Sequence, residues 1–155
     1  MDVNIYIATS IKGVRKQNGM VGIVLEAITA KGPATVTGFE TVKGVSANEA
    51  EVIALAKAIE RIKKGTLVTI HTDNNYLQRA FSLGWTRKWR ENGYQTVKGE
   101  DIVAKDKWKS VLQNLEGTQP HIVVGEPNEY RQWLQNEVIR RQREPLNLHN
   151  EKNDK

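Results

Sequence analysis

The chain changes periodicity once, at Ser46, and that single change narrows the folds open to it. Before it, Val3-Asn4-Ile5-Tyr6-Ile7-Ala8, Met20–Leu25 and Thr35–Val42 read as strands, separated by turn signals at Thr9–Gly13, Asn18-Gly19 and Lys31-Gly32-Pro33. After it, Ser46-Ala47-Asn48 offers a helix start, and Ala47–Lys64 is rich in alanine, glutamate and lysine. Val52, Leu55, Ile59 and Ile62 recur there at spacings of three and four, an apolar stripe that Gly65 ends. Three strands followed by a helix predict an antiparallel meander that a helix then covers.

From Gly65 onward, strands and helices alternate. Leu67–Thr72 is a β-branched strand, and Asp73-Asn74-Asn75 sits where a cap for a helix over Tyr76–Leu83 belongs. Gly84 opens a basic, tryptophan-bearing stretch to Tyr94. A helix over Asp101–Leu115, a strand over His121–Val124 and a helix over Glu129–Arg143, stopped near Pro145, complete the order. The predicted class is α/β, with a mixed five-stranded sheet made of a three-strand antiparallel meander plus two parallel strands, flanked by helices. One domain is expected over residues 1–144, with a polar, flexible tail over 145–155.

The 155 residues contain no cysteine, which excludes a disulfide framework, a thiol nucleophile and a thiolate zinc site. No apolar run approaches the roughly 20 residues of a membrane helix, and no basic leader precedes the first strand. A cytoplasmic chain without a membrane partner is therefore expected. The 23 basic and 18 acidic residues leave a net charge of +5, which suits a polyanion partner without requiring one. Much of the excess sits between Gly84 and Ser110, where seven lysines and arginines (Arg87, Lys88, Arg90, Lys98, Lys105, Lys107, Lys109) face four acids. Lys12, Arg15 and Lys16 form a second basic cluster in the first hairpin.

Three stretches give the chain a family resemblance. Thr69-Ile70-His71-Thr72-Asp73-Asn74-Asn75-Tyr76 is similar to the strand of type 1 ribonuclease H that ends in Thr-Asp-Ser before a helix bearing a tyrosine. Ala50-Glu51-Val52-Ile53-Ala54-Leu55 resembles that family's first helix, where one glutamate precedes an alanine- and leucine-rich run. Gly84-Trp85-Thr86-Arg87-Lys88-Trp89-Arg90-Glu91-Asn92-Gly93-Tyr94-Gln95-Thr96 resembles its basic substrate-gripping protrusion, and Lys107-Trp108 matches the tryptophan of the following helix. The element order matches the ribonuclease H fold over nearly the whole predicted domain, from Val3 to about Arg141.

That resemblance implies phosphodiester hydrolysis assisted by two divalent ions roughly 4 Å apart. Magnesium or manganese held this way needs hard oxygen ligands, which the family supplies as four carboxylates. Two of these match here, Glu51 in the first helix and Asp73 at the fourth strand. The other two slots are expected to hold Ala8 at the first strand and Asn136 in the last helix, with Glu126 where the family has a mobile-loop histidine. Alanine offers no oxygen and asparagine only a neutral one. Two carboxylates against two divalent ions leave a charge deficit, so one weakly held ion at Glu51 and Asp73 is the most the site is expected to take. Hydrolysis is expected to be lost or very weak, with no resident cofactor, and with Mg2+ or Mn2+ needed for any activity that remains. Glu49, Glu126, Glu129 and Glu137 are spare carboxylates; Glu137 lies about 100° around the helix from Asn136.

The binding elements implied by the resemblance are more complete. Ser46, Asn48 and Asn75 flank the remnant acids, and Trp85, Arg87, Lys88, Trp89, Arg90, Thr96 and Lys98 lie in the protrusion. Cationic stems beside aromatic faces suit phosphate and sugar contacts on an RNA/DNA hybrid or double-stranded RNA. Each residue also has a plainer reading. Asp73 can serve as a helix cap, Glu51 as a solvated helix residue, Ser46 and Asn48 as a helix-start device, and the tryptophans as the packing of a small helical hairpin. Three functions compete on this sequence: a pseudo-nuclease that binds nucleic acid, an active metal-dependent hybrid nuclease with a rearranged site, and a protein-interaction module that keeps only the fold.

Overall fold

β1 (Asp2–Thr9) is apolar on both faces, and only a strand in mid-sheet can bury both. Val3, Ile5 and Ile7 point one way, Tyr6 and Ala8 the other, and all five are buried. In the computed structural model of the chain, β2 (Gln17–Thr29) runs antiparallel on one side of β1 and β4 (Leu67–Thr72) runs parallel on the other. β3 (Gly32–Val45) adds antiparallel to β2, and β5 (His121–Val124) adds parallel to β4. The sheet order is β3-β2-β1-β4-β5, the mixed five-stranded sheet expected from the sequence. The structure describes residues 2–153, with side chains described through Arg143. The last helix, Arg131–Asn153, runs past the stop expected near Pro145, because a proline removes one helical donor without ending the helix there, and the tail expected over 145–155 is helical as far as Asn153. Among the described residues, no helix is long and apolar enough to cross a membrane.

Two cores form, one on each face. α1 (Ala47–Ile59) covers the first, and α4 (Lys105–Asn114) packs behind it with Trp108, Val111 and Leu112. Of the predicted stripe Val52, Leu55, Ile59 and Ile62, the first three are buried and Ile62, beyond the helix end, is half-buried; Ala50, Ala54, Ala56 and Ala58 are buried as well. The alanines let a second layer approach the opposite side of α1, so this helix is covered nearly all round. α5 (Arg131–Asn153) covers the second face, where Leu134 and Val138 meet Tyr6, Ala8, Met20 and Val24.

Three further sequence expectations change at element ends. Asn18-Gly19 is no turn; it lies inside β2 at a register shift opposite β3, and the Asn18 side chain accepts from the Gly44 N–H at 2.9 Å. Glycine is required at position 19 because a Cβ there would collide with Ser10 and Ile11, where the chain leaves β1. α1 ends at Ile59 rather than Lys64, since Arg61 and Ile62 donate to carbonyls three residues back and tighten the chain into Gly65. α4 starts at Lys105 rather than Asp101, after Ala104 in a left-handed conformation with φ 58°.

Candidate functional site

The ends of β1 and β4 and the start of α1 meet at a cavity of about 460 Å³. Ala8, Thr9, Lys12, Glu51, Asp73, Asn74, Asn75 and Gln135 are among its lining residues. Glu51 and Asp73, some twenty residues apart in sequence, therefore share one site with Ala8.

Glu51 is no solvated helix residue. It is 1 % exposed, because α1 is covered on both sides. Burial pushes its carboxyl up to about 7; the Thr72 hydroxyl, which donates to Glu51 Oε1, opposes the rise, Asp73 adds to it and Lys12 opposes it. Nor does Asp73 cap α2 (Tyr76–Ser82). The cap position belongs to Asn75, which makes no side-chain cap bond, and Asn74 before it accepts the Tyr76 N–H at 2.9 Å on its side-chain oxygen. Asp73 instead faces α5, where Arg131 Nε lies 3.0 Å from Oδ1 and Gln135 Nε2 donates to Oδ2. Both carboxylate oxygens are engaged by one helix, from residues four apart and hence on one face.

Asn136 does not line the cavity. It is exposed and accepts from Gln132 Nε2 at 3.0 Å on its own helix. The residue that α5 turns toward the remnant acids is Gln135, with Arg131 one turn earlier, whereas Asn136, expected in the last-helix ligand slot, points away from them. Glu126 lines a narrow cleft on the far side of Asp73, with His71, Asn128 and Arg131. Glu137 is held down at about 2, first by its hydrogen bond to Arg140, and Arg141 also pairs with it. Glu49 closes a capping box with Ser46 at the start of α1.

A second buried carboxylate was not legible in the sequence. Glu26 of β2 is 6 % exposed and accepts from Asn4 Nδ2 at 3.1 Å, Tyr6 Oη at 3.3 Å and Tyr130 Oη at 3.0 Å. Tyr130 immediately precedes α5, so this bond ties the base of that helix to the sheet. Burial, and then the charge of Glu26, push the Tyr6 hydroxyl up to about 12. His71 stacks on Tyr6 with ring centroids 4.4 Å apart and is held below its usual pKa by burial. The one available signal for Glu26 was its alternation with Val24 at the end of an apolar strand.

The expected binding residues divide into two groups. Ser46 is committed to the capping box, and Asn48 accepts from Asn74 Nδ2 at 3.1 Å. Trp85 and Trp89 of α3 (Trp85–Glu91) pack in a chain with Trp108, with centroid separations of 6.4 Å and 5.0 Å. Arg90 Nη2 donates to the Leu112 carbonyl at 2.8 Å, tying α3 to α4. Thr96 and Glu100 exchange backbone and side-chain bonds within a loop. Asn75 lines the cavity, while Arg87, Lys88 and Lys98 are exposed.

The RNase H family model matches residues 1–124, which is most of the chain. The chain belongs to the RNase H family. It is 35% identical over 86 residues to the ribonuclease H of Prosthecochloris aestuarii, a match covering 54% of this chain and 59% of that protein. The RNase H fold is seen again in LC9-RNase H1, described as a type 1 RNase H with the type 2 active-site motif, at a TM-score of 0.64 and 18% identity over 90% of this chain and 69% of that one. LC11-RNase H1, solved in complex with an RNA/DNA hybrid, aligns at a TM-score of 0.57 and 18% identity over 90% of this chain and 97% of that one. The family match stops before α5, so Arg131 and Gln135 lie beyond it.

The magnesium ions that an RNase H site implies do not fit the residues present. Hard divalent ions need several anionic oxygens. Here Asp73 is already paired with a guanidinium and an amide, and among the described residues Glu51 is the only other carboxylate lining the cavity. Among the described residues, no cluster of three or more His, Cys, Asp or Glu side chains is placed to hold a metal ion.

Proposed function

We propose that this RNase H-family chain is a pseudo-nuclease, which binds a nucleic-acid duplex, an RNA/DNA hybrid or double-stranded RNA, and hydrolyses it very weakly or not at all. The observation that supports it most is the engagement of both Asp73 oxygens by Arg131 and Gln135, which removes an anion that metal-assisted cleavage would need. Exposed Arg87, Lys88 and Lys98 on and after α3 supply cations for phosphate contacts, which fix a duplex without reading its bases. The complex of LC11-RNase H1 with a hybrid supports the choice of ligand. The cytoplasmic location belongs to the same proposal.

The test is a labelled RNA/DNA hybrid incubated with the chain, followed in parallel for binding and for cleavage in magnesium and in manganese. Binding that weakens steeply as salt rises, without cleavage at high protein concentration, is the expected result. Cleavage abolished by Asp73→Asn would establish the active-enzyme reading instead. No binding at low salt would favour a protein-interaction module.

A further inference from the structure

The cavity that should hold metal ions has Lys12 on its lining, and Arg131, from the adjoining cleft, pairs with its Asp73. We propose that Arg131 and Lys12 form a metal-independent seat for a backbone phosphate of a bound duplex, beside Asp73. This rests on the reading of the chain as a duplex-binding RNase H relative and adds what replaces the ions.

Charge balance comes first. Four carboxylates with two divalent ions sum to zero. In this cavity the carboxylates are Asp73 and Glu51, and the nearby cations are Lys12, on its lining, and Arg131, on Asp73. Two against two restores the same neutrality with monovalent groups. Glu126 adds an anion in the cleft beyond Asp73, next to Arg131. That anion lies in the adjoining cleft, so on and against the cavity itself two cations still face two carboxylates and a phosphate meets no excess negative charge.

Geometry comes second. Arg131 pairs with Asp73 through Nε, which uses one of the five N–H donors of a guanidinium. Gln135 bonds the other Asp73 oxygen, so the carboxylate is fixed from both sides and in turn fixes the guanidinium. Tyr130, one residue earlier, is anchored to Glu26. The side chains of the pair remain 38% and 39% exposed, so a phosphate can reach them. A guanidinium presented this way matches two oxygens of a phosphate, which a lysine in its place would not.

Lys12 is placed just as deliberately. Gln17 Nε2 donates to the Lys12 and Arg15 carbonyls at 2.5 Å and 3.1 Å, and the Gly13 carbonyl accepts the Ala47 N–H at 3.0 Å. The loop between β1 and β2 is thereby tied to the first turn of α1, on the cavity rim.

Fluorescence anisotropy with a labelled RNA/DNA hybrid tests the seat. The wild-type chain is measured in a chelator and in magnesium at matched ionic strength, beside Arg131→Gln, Arg131→Lys and Lys12→Gln, with thermal melts of each. The wild type should bind equally well in both buffers. Arg131→Gln should weaken binding about tenfold, and Arg131→Lys should recover only part of that loss. Lys12→Gln, at an exposed position that carries no packing, should weaken it severalfold even if an Arg131 variant melts early. A wild type that needs magnesium to bind overturns this proposal alone, as do well-folded Arg131 and Lys12 variants that bind at full strength. A wild type that binds no hybrid in either buffer removes the duplex-binding reading, and the phosphate seat with it.

Discussion

Tyr130 Oη donates to Glu26 Oε2 at 3.0 Å, joining the residue before α5 to a carboxylate buried in the second strand. The bond sets where α5 begins, and so how Arg131 and Gln135 meet Asp73. Removing it leaves one oxygen of a buried carboxylate short of a donor, a defect worth about 1–3 kcal/mol. Tyr130→Phe should lower unfolding stability by that amount in urea, with the m-value unchanged. A variant as stable as the wild type would show that α5 is held by Leu134 and Val138 alone.

Glu51 makes stability depend on pH in a direction opposite to that of most carboxylates. Its folded pKa is raised from 4.5 to about 7. Between those values the unfolded chain releases the proton while the folded chain keeps it, so stability falls as pH rises. Above pH 7 the loss levels off, at about 3 kcal/mol at most. Glu51→Gln keeps an acceptor for Thr72 and removes the titration. Its stability relative to wild type should rise between pH 4.5 and 7 and hold steady above that range. Denaturant melts across this range check it; a difference independent of pH rules it out.

The protrusion residues separate by what they touch. Trp108 is fully buried against Trp89, Tyr76 and Phe81. Trp108→Ala should cost about 3–5 kcal/mol, and half-buried Trp89→Ala less, both read by thermal melting. Arg90→Ala should also act on stability, because it frees the Leu112 carbonyl. Arg87→Ala and Lys88→Ala should leave the melt alone and each reduce the salt slope of duplex binding by about one where it contacts a phosphate. A melting loss at Arg87 equal to that at Arg90 would contradict this division.

The sequence carried the element order because strand and helix periods differ, and the switch at Ser46 marks the boundary between them. Glu51 and Asp73 were legible as site residues because each sits in a short motif on a regular element. Helical phase was not legible. Glu126 and Asn136 were related by counting along a loop and into a helix, and a one-residue error turns a side chain by about 100°. The signal that fixes the phase is the buried pair Leu134 and Val138. Gln135 lies about 100° from Leu134, toward the cavity, and Arg131 lies on the same side, whereas Asn136 lies about 200° away. The tryptophans were open to two readings because an aromatic beside lysines looks alike whether it packs or binds. Trp85 and Trp89 are half-buried in a chain of rings that ends on Trp108, so packing takes up part of each ring's surface.

That phase determines which substitutions can rebuild a metal site. Ala8 lines the cavity and Gln135 reaches Asp73, whereas Asn136 is exposed and bonded to Gln132. Ala8→Asp with Gln135→Asp therefore adds two carboxylates beside Glu51 and Asp73, and Arg131→Ala removes the competing cation. Four clustered carboxylates repel one another, so the triple variant should melt earlier than wild type without metal and recover in manganese as binding stabilises the folded state. Ala8→Asp paired with Asn136→Asp should show no such recovery, since its second carboxylate faces solvent. Thermal melts with and without manganese distinguish the two sets, and recovery in the Asn136 set alone would return that residue to the site.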